Sequence, residues 1–238
     1  MQAPPRYLPA GETALVVEFG AAIDPALNAR VRALDRALAA CPVDGVVETV
    51  PTYRSLMIHF DPRALSSAAL IEHIRALALE PESGEAPRHW TVPICYAAPH
   101  AEDLAEVAAL LDLAPERVAA LHAGATYRVY MYGFAPGYVF LGGLPAQLSI
   151  SRRPTPRPPV PPGAALIAGG QALIASIPMP TGWYNLGRTP AVLFDPRRNP
   201  PVSIDVGDAV SFEPIEAARF AALEQMARQG LPVARQKT

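Results

Sequence analysis

The residues best suited to chemistry in this chain are arginines within a long acid-free stretch. No Asp or Glu occurs between Glu116 and Asp195, and this stretch contains six arginines: Arg117, Arg128, Arg152, Arg153, Arg157 and Arg188. Because a guanidinium donates paired hydrogen bonds to carboxylates and phosphates, this composition predicts an anion-binding surface. The stretch has no carboxylate of its own to act as acid or base, so an active site here needs those groups from elsewhere, including another chain.

Glycine and aromatic residues are concentrated in the same stretch, above all in the run from Gly133 to Pro145. Glycine lets a ligand approach the backbone closely, and aromatic rings form rigid walls. We expect a cleft shaped by these residues: Tyr130, Gly133, Phe134, Pro136, Gly137, Tyr138, Gly169, Gly170 and Trp183. Alternatively, the glycines only satisfy the turns of a β-barrel corner, and residue types alone do not decide between the two.

Arg188 is the best single candidate for a bidentate contact with a carboxylate, with Thr189 beside it. A salt bridge from Arg188 to Asp195 or Asp205 explains it equally well. Arg152 and Arg153, with Arg157 nearby, form the densest positive cluster, which fits an anion site, a solvated surface or a contact with another protein chain. Gln171, after Gly169 and Gly170, could present an amide to an anion.

His122 is the only histidine beside the aromatic run, so it is the candidate general base, although a hydrogen-bonded structural role is favoured. No two of the five histidines have metal-ligand spacing, and we expect no metal site. The single lysine, Lys237, lies at the C-terminal end, so no P-loop lysine exists and ATP phosphates are expected on another chain. Cys41 and Cys95 are expected to be reduced and buried.

Overall composition excludes several classes of function. A net charge of -2 and a pI near 6.2 give no basic footprint for nucleic acid. No apolar run approaches the roughly 18 residues of a membrane span, and the N-terminus has no signal-peptide pattern. A cytoplasmic protein without membrane or nucleic-acid partners is expected.

The order of predicted elements divides the chain in two. Strands at 13–19, 45–50 and 53–60, helices after Asp24-Pro25 and after Ser66 or Ser67, and a strand at 88–96 follow the β-α-β-β-α-β order of a ferredoxin-like domain. We place this α+β domain at 1–87, with the boundary at 81–88. Two short helices, then short strands broken about every ten residues, predict a β-barrel or sandwich domain at 88–238, which ends in a helix.

Four ordered segments resemble the KipI family, which comprises the B component of 5-oxoprolinase and proteins like allophanate hydrolase subunit 1. They are Gly133–Pro145, Arg152-Arg153, Gly169–Gln171 and Gly182–Pro190. The resemblance implies a ferredoxin-like domain followed by a cyclophilin-like β-barrel. It also implies the B component of a hydrolase, a cytoplasmic hetero-oligomer that opens 5-oxo-L-proline, a small amide substrate, to L-glutamate. The implied partners are the KipA-like C component and also the A component of 5-oxoprolinase; ATP with Mg is used by the assembled complex, and this chain itself binds no cofactor.

The sequence departs from the family pattern in two places. The family usually has Thr-Gly-Ile-Tyr where this chain has Ala172–Ala175, and Pro-Gly-Gly-Trp where it has Pro180–Trp183. Both departures lie in the presumed site. Two alternatives stay open, namely a KipI-type protein inhibitor of a sensor histidine kinase and an allophanate- or urea-related protein of the carboxyltransferase-like type.

Overall fold

The computed structural model describes residues 4–79 and 87–237, and the chain divides into two compact units, Met1–Glu85 and Ala86–Thr238. The predicted boundary at 81–88 lies largely outside the described residues. A division at 87/88 therefore stays a prediction.

The first unit contains an antiparallel sheet and two helices. Its strands are β1 (Arg6–Pro9), β2 (Ala14–Glu18), β3 (Val46–Pro51) and β4 (Ser55–Phe60), and its helices are α1 (Pro25–Ala40) and α2 (Ser67–Ala76). The strands lie in the order β1-β2-β4-β3. Alternate residues of β4 are buried (Leu56, Ile58 and Phe60), so one face of the sheet covers the core of this unit.

Both helices begin at side-chain caps. The Asp24 carboxylate accepts hydrogen bonds from the backbone amides of Ala26 (2.7 Å) and Leu27 (3.2 Å), and Pro25 occupies the first turn. The Ser66 hydroxyl accepts from the amide of Ala69 at 3.2 Å. These caps provide hydrogen-bond partners for amides that have none inside the helix. The start of each helix could therefore be predicted from the sequence.

The predicted ferredoxin-like order is wrong at its last strand. Residues His89–Ile94 form β5, which pairs with strands of the second unit, and the edge beside β2 is taken by β1. Sequence reasoning missed β1 because prolines surround it, Pro4 and Pro5 before it and Pro9 at its end. Proline is tolerated on an edge strand, where one row of amides needs no ladder partner.

The second unit contains ten strands and three helices among its described residues. The helices are α3 (Leu104–Leu110), α4 (Pro115–Ala123) and α5 (Ala217–Arg228), and the strands are β5 (His89–Ile94), β6 (Thr126–Tyr132), β7 (Val139–Gly142), β8 (Arg157–Val160), β9 (Ala164–Ala168), β10 (Gln171–Ile174), β11 (Met179–Thr181), β12 (Tyr184–Arg188), β13 (Ala209–Pro214) and β14 (Arg235–Gln236). A short 3₁₀ turn at Ala146–Leu148 follows β7.

Eight strands form one mixed sheet in the order β12-β9-β10-β7-β6-β13-β5-β14, and β8 pairs separately with β11. The predicted closed barrel is not formed. Closure would require β12 to pair along β5. Instead β14 pairs with β5 at Trp90 and Thr91, and the end of β12 contacts the chain after β5 only at one antiparallel bridge, Cys95 to Arg188. The α+β class is confirmed, whereas the cyclophilin-like barrel arrangement is not.

The cysteines behave differently from each other. Cys95 is buried, as expected, whereas the expectation for Cys41 is wrong because this residue ends α1 and is exposed. In the described ranges, no helix has the length and apolar character of a membrane span. The same ranges contain no group of three or more His, Cys, Asp or Glu side chains placed to hold a metal ion.

Candidate functional site

The loop between β6 and β7, residues 133–138, is held in an unusual conformation. Phe134 has a φ of 67° although it is not glycine, and its side chain is 77% exposed. Gly137 has a φ of 72°, and a Cβ at this position would lie 2.3 Å from the Cβ and Cγ of Phe194. A strained, exposed aromatic residue on a tightly packed loop is typical of a binding site.

Replacing Gly137 with alanine is expected to destabilise the protein by about 2 kcal/mol, since a positive φ and an overlap with Phe194 each contribute roughly 1 kcal/mol. Gly169→Ala is the matched control, because Gly169 also has a positive φ (57°) but a Cβ there would meet nothing within 4 Å. Chemical denaturation of both variants checks this. Equal losses of stability would show that the Phe194 contact is unimportant.

Beside this loop lies a cleft of about 270 Å³, which we name the Arg152 cleft. Its walls are Phe134, Tyr138, Phe140, Arg152, Pro156, Leu166, Leu173, Pro180, Thr181, Gly182 and Trp183. The Phe140 and Trp183 rings meet edge to face at 6.0 Å, and Trp183 is only 6% exposed. The cleft therefore has rigid apolar walls and one cationic group, a combination that suits a small ligand with one anionic group.

Arg152 supplies that cationic group. Its guanidinium carbon lies 5.5 Å from the centroid of the Trp183 ring, and within residues 4–79 and 87–237 no carboxylate pairs with it. Arg152 is exposed. Its hydrogen-bond donors are thus free for a ligand, while the indole beneath limits where the group can move.

Arg153 and Arg157 differ from Arg152, because carboxylates of the same chain bind their guanidiniums. Arg153 contacts Asp103 at 3.0 Å and also Glu106, and Arg157 contacts Asp103 at 2.5 Å and also Glu102. We name these five residues the Asp103 cluster. The assignment of Arg153 to substrate is therefore corrected: its charge is neutralised by acidic residues at the start of α3.

Asp103 is the centre of this cluster and is only 5% exposed. Its carboxylate also accepts a hydrogen bond from the backbone amide of Asn185 at 2.7 Å, which ties α3 to β12. Burial raises the pKa of Asp103, and the Asn185 amide and the Arg153 guanidinium act against that rise. Hydrogen bonding to Glu106 raises the pKa of Arg153. The cluster anchors the proline-rich segment that carries Arg152.

Arg188 lies in a different cavity of about 260 Å³, the Arg188 pocket, which shares no lining residue with the Arg152 cleft. Its Nη2 contacts the Glu224 carboxylate on α5 at 3.1 Å, and its Nε donates to the Pro162 carbonyl at 2.9 Å. The alternative partners predicted from the sequence are wrong, since Asp195 pairs with Arg197 and Asp205 with Arg88. Arg188 is therefore partly neutralised by a residue that no sequence pattern connected with it.

Thr189 follows Arg188 and lines the same pocket, but it is 2% exposed. Its hydroxyl accepts a hydrogen bond from the amide of Ala191 at 3.1 Å. Thr189 thus shapes the turn after β12.

Gly169, Gly170 and Gln171 are removed from both cavities. The two glycines have positive φ values, 57° and 77°, and form the turn between β9 and β10, with Gln171 beginning β10. Two consecutive positive φ values are the requirement of a tight hairpin turn. None of the three lines the Arg152 cleft or the Arg188 pocket.

Tyr130, Gly133 and Pro136 line neither cavity. Tyr130 is 4% exposed, and its ring packs so closely on Gly142 that a Cβ there would overlap it. The Pro136 carbonyl accepts a hydrogen bond from the Ser176 hydroxyl. Tyr138 does line the cleft; burial raises its pKa, and its protonated hydroxyl donates to the Ile177 carbonyl at 3.1 Å.

His122 is fully buried on α4 and reaches neither cavity, so its role as a general base in the cleft is corrected. Its Nδ1 lies 2.7 Å from the Tyr96 hydroxyl, and its ring stacks on Phe212 at 4.7 Å. Burial lowers the pKa of His122 from 6.5 to about 3. The ring is a neutral part of the core.

This burial predicts a pH dependence of stability. The unfolded chain protonates His122 below pH 6.5, whereas the folded chain protonates it only near pH 3. The contribution of His122 to the free energy of unfolding is therefore fully present above pH 6.5 and is lost progressively as the pH falls below that value. Between pH 7 and 5 the loss is about 2 kcal/mol. His122→Gln should reduce the pH dependence of unfolding by that amount, measured by denaturation at both pH values. An unchanged dependence contradicts the prediction.

Comparison with known proteins places the chain in a family. The model of the carboxyltransferase domain, subdomain C and D, matches residues 5–204. The chain belongs to this family. A Bacillus subtilis protein named as the B component of 5-oxoprolinase is 34% identical over 229 residues, which are 90% of this chain and 95% of that protein. The resemblance of the motifs to this component of 5-oxoprolinase is thereby confirmed.

Solved structures agree on the fold. TTHA0988 is 37% identical with a TM-score of 0.75, covering 86% of this chain, which spans only 40% of that protein. The match to Kluyveromyces lactis urea carboxylase covers all of this chain and 24% of that protein, with a TM-score of 0.77 at 17% identity. At that identity the likeness shows the fold alone.

Sequence reasoning missed the acidic residues that pair with the arginines, namely Glu102, Asp103, Glu106 and Glu224. They lie outside the acid-free stretch, more than 30 residues from their partners. One signal was present, since Asp103 directly precedes α3 and Glu106 lies three residues later, in its first turn. That spacing indicates a double acidic contact but not its partner.

Proposed function

We propose that this chain is the B component of a multi-protein hydrolase that opens 5-oxo-L-proline to L-glutamate with the use of ATP. The observation that carries the proposal is the almost end-to-end relationship, at 34% identity, to a protein named as that component of 5-oxoprolinase. The Arg152 cleft supports it, because a 5-oxoproline molecule has one carboxylate and a small, mostly hydrocarbon ring.

In this proposal the substrate carboxylate binds Arg152 and the ring lies between Trp183 and Tyr138. The paired donors of a guanidinium fit a carboxylate, and the aromatic walls exclude water around the ring. Holding the ring in one orientation exposes its amide carbonyl to attack. Water then adds at that carbon, the ring C–N bond breaks, and the nitrogen takes up a proton.

The acid, the base and the ATP site are assigned to partner proteins, the KipA-like C component and the A component of 5-oxoprolinase. Among the described residues that line the Arg152 cleft there is no carboxylate, histidine or lysine. Arg153 and Arg157 are each paired with carboxylates, and the pocket around Arg188 has mainly apolar walls, so these arginines are poor candidates for phosphate. The described residues around the Arg152 cleft thus do not fit ATP with Mg, and no step of the reaction is placed on a nucleotide here.

The test is reconstitution with the homologues of the A and C components encoded by the same organism. ATP-dependent release of glutamate from 5-oxo-L-proline should require all three chains. Release that proceeds equally well without this chain would refute the proposal. Omission of each chain in turn is the control, and ADP formation measured in parallel shows whether ATP use and ring opening stay coupled.

A second candidate is binding of another protein, of the KipI type that inhibits a sensor histidine kinase. Phe134 favours it, because a 77% exposed aromatic ring at the mouth of a cleft is a common anchor for a partner. Kinase autophosphorylation with increasing amounts of the protein tests it, and no change at saturation counts against it. The urea-related alternative rests on a likeness of fold at 17% identity.

A further inference from the structure

The Arg188 pocket has a charged end that its own residues do not balance. Two guanidiniums flank one carboxylate there: Glu224 contacts Arg188 at 3.1 Å through Oε1 and Arg228 at 2.8 Å through Oε2. The charges of these three side chains sum to +1. An excess positive charge in a concave site attracts an anion.

Arg188 is positioned to use this excess charge. Its Nε is fixed by the Pro162 carbonyl at 2.9 Å, and its guanidinium carbon lies 5.2 Å from the centroid of the Phe220 ring. Within the described chain its Nη1 has no protein partner. The Arg188 side chain is 23% exposed, so the group is oriented by the protein and still accessible from the pocket.

The remaining walls are mainly apolar, including Ala191, Leu193, Phe194 and Ala227. At about 260 Å³ the pocket lies just below the usual range for drug-sized ligands, so its occupant is small. An inorganic anion would leave these walls without contacts. A carboxylate with a short hydrocarbon chain can pair with Arg188 and also contact the apolar walls.

We propose that the Arg188 pocket is a binding site for a small monocarboxylate, separate from the Arg152 cleft. Arg188 holds the carboxylate, and Glu224 competes with the ligand for the same guanidiniums. The inference does not rest on the proposed function, because the two cavities have no lining residue in common.

The test is a titration of the ¹⁵N-labelled full chain with propionate, followed by NMR at constant ionic strength. Saturable shifts are expected at the amides of Thr189, Ala191 and Leu193, and uncharged propionamide should not produce them. Shifts confined to the amides of Thr181, Gly182 and Trp183 would place the anion in the Arg152 cleft and overturn the proposal. Equal shifts with propionamide would overturn it too.

Two variants sharpen the result. Glu224→Gln should tighten propionate binding several-fold, because it removes the competing carboxylate, and a gain in affinity cannot come from misfolding. Arg188→Gln should weaken binding at least tenfold, whereas Arg152→Gln should leave the shifts at Thr189 unchanged. If Glu224→Gln does not tighten binding, the proposal is wrong. Failure of the reconstitution assay would leave these outcomes unaffected, so the two proposals fail separately.

Discussion

Replacing Arg152 with glutamine is expected to raise the KM for 5-oxo-L-proline about 10- to 150-fold in the reconstituted enzyme. A hydrogen bond to a charged group contributes roughly 1.5–3 kcal/mol, which corresponds to that range of affinity. Because no carboxylate of the described chain pairs with Arg152, its loss leaves no buried charge behind. Steady-state kinetics at saturating ATP measure the effect.

KM and kcat of the Arg152 variant must be determined separately. Arg152 binds a part of the substrate that does not react, so KM should change far more than kcat. Arg117→Gln is the matched control, since Arg117 is an exposed arginine on α4 that lines neither cavity. A normal KM in the Arg152 variant, with full assembly, would move the substrate carboxylate elsewhere.

Local features of this chain were predictable from its sequence because their causes are local. The caps at Asp24 and Ser66 satisfy amides two or three residues away. Phe134, Tyr138 and Trp183 were expected to form walls because of their residue types, and all three line the Arg152 cleft.

Features that depend on distant contacts were not predictable. β5 pairs with β13, where His89 lies opposite Ala209, and this pairing removed the last strand from the ferredoxin-like pattern. The arginines looked alike in the sequence, and only the fold shows that Arg153 meets Asp103 while Arg152 meets Trp183. Tertiary contact therefore decides which arginine is free to bind a ligand.

Asp103 leads to the second prediction, because its single carboxylate binds Arg153, Arg157 and the Asn185 amide. Breaking a buried ion pair by removing one partner costs about 3–5 kcal/mol. Glu102 and Glu106 still face the two arginines in Asp103→Ala, so we expect the lower end, roughly 3 kcal/mol. For a unit of this size that lowers the midpoint of thermal unfolding by about 6–12 °C. Calorimetry measures the shift.

The position of Asp103 also connects stability with substrate binding. Its two arginines follow Arg152 on the same proline-rich segment, so Asp103→Ala should raise the KM for 5-oxo-L-proline at temperatures where the protein stays folded. Glu106→Ala is the control: Glu106 is 46% exposed, and a surface pair of this kind contributes at most about 1 kcal/mol. If both variants unfold within about 4 °C of the unaltered protein, as expected for surface pairs alone, the Asp103 cluster does not anchor the segment. If only Asp103→Ala shifts both the unfolding midpoint and KM, the cluster holds Arg152 in place through its neighbours.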